Sequence, residues 1–365
     1  MSMILRVFIL LTLYPLKALT DAIKKSEIGQ LGKDWKIRIV MTNTVDATTC
    51  ANTIYDAFKL ASNPHRIYLN IHDEVHRQKV NRCIQFFCRM YRTECHSLLR
   101  SKRISATFRY LSGALGHTAR RHVAEARLST SPEKNNFVLS VDSNIVFSKH
   151  WDAVLLKNWL LTGNDMAILS VAPKAVELRE VLHSKSLLHC SAHIETPYSL
   201  AVVEYNSPIL RRNANPSKFP VLQSQYSEKF FFAPLSAILN VPSDPYIGHA
   251  SAGYEFARAS RFWTSGFDFY TPTEDILFAR YNAHNLKVSR SSRSLTESSY
   301  RRIRQLHGIW SGPFLESSRY WLGKKRSIRL WYQFARIDPN ASYDESTKNQ
   351  FVCCDEDLKY VHYKE

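Results

Sequence analysis

Lys36–Ile71 reads KIRIVMTNTVDATTCANTIYDAFKLASNPHRIYLNI, and its order of elements sets the expected fold. Lys36–Met41 (KIRIVM) is a short apolar run of the kind that forms a strand. The polar loop TNTVDATTC follows, and from about Cys50 to Ala61 the apolar residues recur at helical spacing. Asn63-Pro64 marks a turn, and Arg66–Ile71 (RIYLNI) is a second strand. A strand, a helix and a second strand in that sequence build a parallel unit, so the chain is expected to be α/β and doubly wound.

The same grammar continues outward. A helix is expected from about Leu115 to Leu128, where Ala119, Val123, Ala126 and Arg127 repeat at helical spacing. Asn136–Val141 (NFVLSV) is a buried strand that ends at Asp142-Ser143-Asn144. Trp151–Trp159 returns to helical spacing, Met166–Ala172 (MAILSVA) is another apolar strand, and Lys229–Ala233 (KFFFA) opens an apolar stretch ending at Pro242. No repeat is present, and low complexity is confined to the Ser/Arg-rich Ser289–Ser299. The expected division is a leader or anchor over 1–20, one domain over 21–338 and an acidic tail over 339–365.

The chain has 365 residues, 45% of them hydrophobic and 12% aromatic, enough for a sizeable core; this excludes a disordered or collagen-like chain. Its formal net charge is +17, which points to a phosphate-bearing ligand, nucleic acid or an anionic surface. The excess is concentrated between Asn285 and Leu330, where eleven cations face only Glu297 and Glu316. One or two suffice for a diphosphate, and the rest are expected on a solvated face or a patch for acidic acceptors or headgroups. No zinc-finger, RRM or KH signature is present, so nucleic acid is not an expected partner.

Met1–Thr20 (MSMILRVFILLTLYPLKALT) has the layout of a secretory signal: an early Arg6, an apolar run Val7–Leu13, and Ala18 and Thr20 at the −3 and −1 positions before Asp21. The run is short of the roughly 20 residues of a spanning helix, and an uncleaved signal anchor is the other reading. Either route leads to the secretory pathway, as a Golgi-luminal, membrane-anchored or secreted protein, and allows disulfides. Seven cysteines leave at least one unpaired. Cys83, Cys88 and Cys95 with His96 lack zinc-site spacing and lie in a helical-looking segment, so they are expected to be buried or disulfide-bonded. Asn340-Ala341-Ser342 is a glycosylation sequon.

Asp142 closes an apolar strand, at the carboxyl edge where open α/β sheets bind their ligands. With Asn144 two residues on, it can hold a divalent cation that bridges the phosphates of a sugar nucleotide. Taken alone, an Asp at a strand end is more often a turn or a helix cap.

Several segments together resemble the UDP-GlcNAc:polypeptide α-N-acetylglucosaminyltransferases, glycosyltransferase family 60. Gly253–Pro272 (GYEFARASRFWTSGFDFYTP) is similar to the family's Gly-Glu-Glu, an Ala/Arg-rich helix and Trp-Thr-x-Gly-Tyr-Asp-x-Tyr-x-Pro. Val241–Pro245 (VPSDP) resembles Val-Pro-Tyr-Asp-Pro, and Val141–Asp152 (VDSNIVFSKHWD) resembles the stretch that carries the metal motif. Ala114–Arg120 (ALGHTAR) is similar to Ala-x-Gly-Pro-x-x-Ala-Arg, and Gly323–Asp338 resembles the family's closing motif. The resemblance spans about residues 36–338. It implies a GT-A type fold with a Rossmann-like nucleotide-binding half, a UDP-sugar donor, Mn²⁺ or Mg²⁺, retention of configuration, and transfer of GlcNAc to Thr, Ser or hydroxyproline hydroxyls of polypeptides. On this reading Asp142 and Asn144 bind metal, and Glu255 and Asp268 are catalytic. Asp46, Arg120, Trp263 and Tyr270 then contact substrate.

The chain departs from the family pattern at Asn144 and Ala279, where the family has His, at Tyr254, where it has Glu, and at Val45, where it has Arg. Two alternatives therefore stand beside the transferase: a degenerate homologue that binds sugar nucleotide or glycoprotein, and a secreted basic glycan-binding protein.

Overall fold

The computed structural model describes residues 35–339 except 44–45, 76–81, 111–114, 129–135, 180–186, 189–191, 207–208, 211–217, 283–291 and 313–317. The expected leader, the sequon, the acidic tail after residue 339, Cys190, Cys353 and Cys354 lie outside the described residues. Among the described residues no helix is long and apolar enough to cross a membrane.

The first unit forms as its sequence order requires. Strand β1 (Lys36–Asn43) is followed by helix α1 (Ala47–Lys59) and by β2 (Ile67–Val75), and the two strands pair in parallel. Helix α1 starts three residues earlier than its apolar spacing suggests because Asp46 caps it. Helices α2 (Cys83–Met90) and α3 (Arg92–Arg100) then lead to β3 (Ile104–Tyr110), parallel to β2. Disulfides Cys50–Cys83 and Cys88–Cys95 tie α1 to α2 and α2 to α3, as expected for three of these four cysteines.

The chain next crosses to the other side of β1. Helix α4 (His117–Glu125) precedes β4 (Asn136–Asp142), which pairs in parallel with β1. Helix α4 is shorter than the expected Leu115–Leu128 because Gly116, at φ +77°, sits at its N-cap against the Gly248 carbonyl; a Cβ there would come within 1.8 Å of that oxygen. Helix α5 (Trp151–Leu161), β5 (Ala167–Ser170), β6 (Val221–Gln223), β7 (Phe230–Pro234), α6 (Tyr254–Thr264) and β8 (Asp268–Thr271) follow, then helices α7 (Arg293–Leu306) and α8 (Ile328–Ala335). The eight strands lie in the order β6-β8-β5-β7-β4-β1-β2-β3.

The sheet separates two apolar layers by strand alternation. Ile37, Ile39 and Met41 of β1 and Phe137, Leu139 and Val141 of β4 pack with Ile54 and Phe58 of α1 and Trp151 and Leu155 of α5. Val40, Val138 and Phe231 face the other way, onto Phe262 and Trp263 of α6 and Trp331 and Phe334 of α8. The α/β class and the Rossmann-like half expected from the sequence are both present: β3-β2-β1-β4 is wholly parallel, with helices at its crossovers.

The late basic stretch is less of a solvated face than its composition suggests. Arg302 and Arg326 are buried and pair with Asp244 and Asp268, whereas Lys324, Lys325 and Arg329 are exposed. Two cations that a count assigns to the surface are internal ties.

Candidate active site

The strand order reverses at β1: the chain moves outward through β2 and β3, then returns to place β4 on the opposite side. Helices on either side of such a reversal diverge and leave a crevice beyond the carboxyl ends of the strands. Thr42 and Asp142 are in register at that crevice, and the Thr42 hydroxyl donates to Asp142 Oδ1 at 3.3 Å. Next to them, Asn43 Nδ2 donates to Asp73 Oδ1 at 2.7 Å and Ser143 Oγ to Asn43 Oδ1 at 2.5 Å, while the Cys83 amide fills Asp73 Oδ2. The floor of the crevice is thus hydrogen-bonded within itself and rigid.

Asp142 is the carboxylate this floor leaves accessible. Arg121 Nη2 lies 2.8 Å from its Oδ1, and its side chain is 29% exposed. Both protein contacts fall on Oδ1, so Oδ2 is the oxygen available to a ligand. Arg121 is buried and also lies 2.8 Å from Glu228 Oε2. Glu228 Oε1 pairs with Arg258 Nη1 at 3.0 Å, and Arg258 Nη2 with Glu125 Oε1 at 2.7 Å. Burial pushes the Glu228 carboxyl up, but Arg258 and Arg121 outweigh it and hold it ionised, below its ordinary range. This buried alternation of charge holds α4 and α6 across the loop before β7 and fixes Arg121 behind Asp142.

Glu255 joins the same network. The Glu228 amide donates to its Oε1 at 2.8 Å, with Ser227 Oγ at 3.3 Å. It keeps part of its area open, yet the protein packed around the carboxyl, with Glu204 and Glu228 nearby, raises its pKa to about 8 against the pull of that amide and Lys229. At neutral pH it is a protonated acid that offers an O–H, not a base. Tyr281 feels both Asp142 and Glu255, and burial foremost pushes its phenol up to about 12; its hydroxyl donates to the Pro173 carbonyl at 2.7 Å. Lys229 Nζ lies 5.1 Å from the centre of the Tyr281 ring. The His117 ring packs tilted against Tyr254, centroids 4.9 Å apart, and burial together with Arg121 lowers its pKa to about 4, so it is a neutral imidazole with Nε2 unpartnered.

Asn144 lies beside Asp142, where its Nδ2 donates to the Arg280 carbonyl at 3.2 Å. This fixes the amide so that Oδ1 is the end turned elsewhere. Among the described residues no group of three His, Cys, Asp or Glu side chains is placed to hold a metal ion. Asp142 and Asn144 offer one carboxylate oxygen and one amide oxygen as donor types. That pair fits a hard cation that takes its remaining ligands from diphosphate and water.

The other expected residues fall into two groups. Asp46 and Arg120 lie on the same rim but are engaged: Asp46 takes Thr49 N and Oγ1 at 2.8 and 2.7 Å as the α1 cap, and Arg120 pairs with Glu74 at 3.0 Å. Asp268, Trp263 and Tyr270 are not brought to the crevice. Strand β7 is antiparallel to both β4 and β5, so β4, β5 and β8 point the same way, and Asp268 opens β8 opposite Ala167. The register sets it level with Phe137, about 17 Å along the sheet from Asp142. There Arg326 grips it at 2.7 and 3.1 Å and Asn164 adds a third bond at 3.0 Å. Asn164 also donates to the Tyr270 hydroxyl at 3.3 Å. Trp263 is fully buried against Trp331, Phe334 and the Arg326 guanidinium, with no face for a sugar.

Sequence reasoning missed Arg121, Glu228, Tyr281 and His117. The available signal was helical spacing: on α4, His117 and Arg121 share one face, whereas Arg120 points to β2. Glu228 carried no comparable signal, because only the fold sets it between two arginines from different helices.

This crevice, with a part-exposed carboxylate at the strand reversal backed by a buried arginine, is the candidate site of an α/β fold. The family model described as "Glycosyltransferase (GlcNAc)" matches residues 76–341, and the chain belongs to that family. It is a glycosyltransferase of α/β fold. No curated protein matches the chain. Among solved structures it is similar to GalNAc-T7 with UDP, GalNAc and Mn²⁺, at 9% identity and a TM-score of 0.49 over 75% of this chain and 48% of that one. It is also similar to the mannosyltransferase PcManGT of Pyrobaculum calidifontis with GDP-Man and Mn²⁺, at 10% identity and a TM-score of 0.39 over 80% of this chain and 71% of that one. The chain spans about half the length of the GalNAc-T7 structure.

Proposed function

We propose that this protein transfers GlcNAc from UDP-GlcNAc to Thr, Ser or hydroxyproline hydroxyls of polypeptides, with retention of configuration, in the secretory pathway. The observation that carries it is Asp142: half-exposed at the strand reversal, with Oδ2 open and Glu255 in the same hydrogen-bonded network. The match to the GlcNAc glycosyltransferase model supports the sugar, and the two disulfides support an oxidising compartment. The segment resemblance to family 60 supports the polypeptide acceptor and a GT-A type reading of the fold.

In this mechanism the chain's residues bind and orient. Asp142 and Asn144 would hold Mn²⁺ or Mg²⁺, whose charge neutralises the diphosphate and stabilises departing UDP. Arg121 orients Asp142 through its 2.8 Å contact to Oδ1. Glu255, protonated at neutral pH, donates its O–H toward the sugar or the acceptor. In a retaining transfer the leaving phosphate itself takes the acceptor proton, so no separate base is required.

The replacement of the family pattern's His at Asn144 and Ala279 favours one second reading, a homologue that binds sugar nucleotide without transferring it. UDP-GlcNAc hydrolysis with added Mn²⁺, compared between wild type and Asp142→Ala, separates the two. Turnover lost in the variant supports the transferase. UDP binding without turnover in the wild type supports the second reading, and neither binding nor turnover refutes both.

A further inference from the structure

A second concavity lies on the outer face of the Rossmann-like half. Its volume is 320 Å³ and it opens between the last turn of α1, the turn at Pro64 and helices α2 and α3. Phe58, Phe87 and Leu98 form an apolar floor and Tyr55 a wall. Tyr55 is held by stacking on Tyr91 at 4.1 Å, and Tyr91 is anchored by a 2.8 Å hydrogen bond to Asn52. The two disulfides join the three helices, so the pocket is preformed. It lies at the opposite end of α1 from Asp46, about 15–20 Å from the crevice rim along that helix.

Its surroundings are strongly basic. Lys59 and Arg103 stand on the rim with Glu94. Arg103 is oriented by its bond to Ser101 at 3.0 Å and by a second to the Pro64 carbonyl at 2.5 Å. From Arg82 to Arg103 the chain carries six cations and one carboxylate, Glu94. Arg89, Arg92, Arg100 and Lys102 of that set are exposed, as are Met90 and Leu99, 42% and 45% accessible. An apolar pocket large enough for one aromatic side chain, with Lys59 and Arg103 on its rim and further exposed cations on the helices that form it, matches a ligand with an apolar anchor between negative charges.

We propose that this pocket docks an acidic polypeptide segment through one aromatic or branched aliphatic side chain, seated on Phe58, Phe87 and Leu98 and flanked by carboxylates that pair with Lys59 and Arg103. The pocket shares no residue with the crevice, so the inference stands apart from the proposed sugar transfer.

The probe is the fluorescein-labelled peptide Glu-Asp-Trp-Asp-Glu, titrated with the full chain by fluorescence anisotropy. Saturable binding is expected, weakened about tenfold or more when the peptide's Trp is replaced by Ala and again when its acids become amides. Lys59→Glu, on an exposed side chain, should weaken it to a similar degree. Ser97→Trp, placed from the exposed rim to fill the cavity, should abolish it, with circular dichroism confirming a folded chain. Equal binding of the Trp and Ala peptides reduces the effect to general charge attraction and overturns the proposal. Undiminished binding to folded Ser97→Trp overturns it too, as does equal binding of the amide peptide. Asp142→Ala should leave peptide binding unchanged, which separates failure here from failure of the transferase reading.

Discussion

The two ends of the central sheet carry the same chemistry to opposite ends. At the carboxyl edge Asp142 meets Arg121, and at the amino edge Asp268 meets Arg326; both arginines are buried. Asp142 gives up one oxygen and keeps a side chain 29% exposed, whereas Asp268 spends both oxygens on Arg326 and Asn164 and is 2% exposed. An acid–arginine pair is therefore a site only where coordination is left over. A sealed bidentate pair ties structure together, here joining the chain before α8 to the start of β8.

The largest effect that tests this contrast is on stability. Asp268→Ala leaves Arg326 charged and buried without its carboxylate, and should cost about 3–5 kcal/mol in urea unfolding while the folded fraction keeps its UDP affinity. Loss of UDP affinity with unchanged stability would return Asp268 to the site. Asp142→Ala should do the reverse. UDP-GlcNAc turnover falls about 100-fold or more, worth about 2.7 kcal/mol, with little change in the unfolding midpoint.

Glu255 sharpens the comparison through pH. Its folded pKa of about 8 lies above its ordinary 4.5, so between those values the native state binds the extra proton and stability falls as pH rises. Below 4.5 both states are protonated, and the contribution of the neutral acid is fully present. Glu255→Gln should flatten that fall by a few degrees of Tm between pH 5 and pH 8. A Tm profile unchanged by the substitution would show the carboxyl to be ionised and water-exposed. The smallest effect is at Asp46, where Asp46→Ala removes the α1 cap and should cost about 1 kcal/mol with UDP affinity retained.

Most of the first half of the fold was legible because its signals are local. Strand alternation in Lys36–Met41, the turn at Asn63-Pro64 and the apolar run of Asn136–Val141 each act over a few residues, and the observed strands follow them. Asp142 was legible for the same reason: a carboxylate that closes an apolar strand has to sit at the sheet's edge. Arg121 was not, because Arg120 and Arg121 differ only in which helix face each occupies, and the faces are assigned by what α4 packs against. Asp268 misled because an acid between two phenylalanines signals a polar partner without saying whether that partner is substrate or protein. The partner, Arg326, lies far along the chain, within a basic stretch whose composition suggested solvent.

What the sequence by itself determined is the alternation of elements, the strand-end carboxylate and, by resemblance, membership of a glycosyltransferase family. All three depend on neighbouring residues or on ordered motifs. The tertiary structure alone decided which acids remain open. It folded Glu228 between Arg121 and Arg258, sealed Asp268 under Arg326, and raised Glu255 to about 8 by enclosing it. The physical reason is that coordination and desolvation depend on distance in space, and residues far apart in the chain supply both.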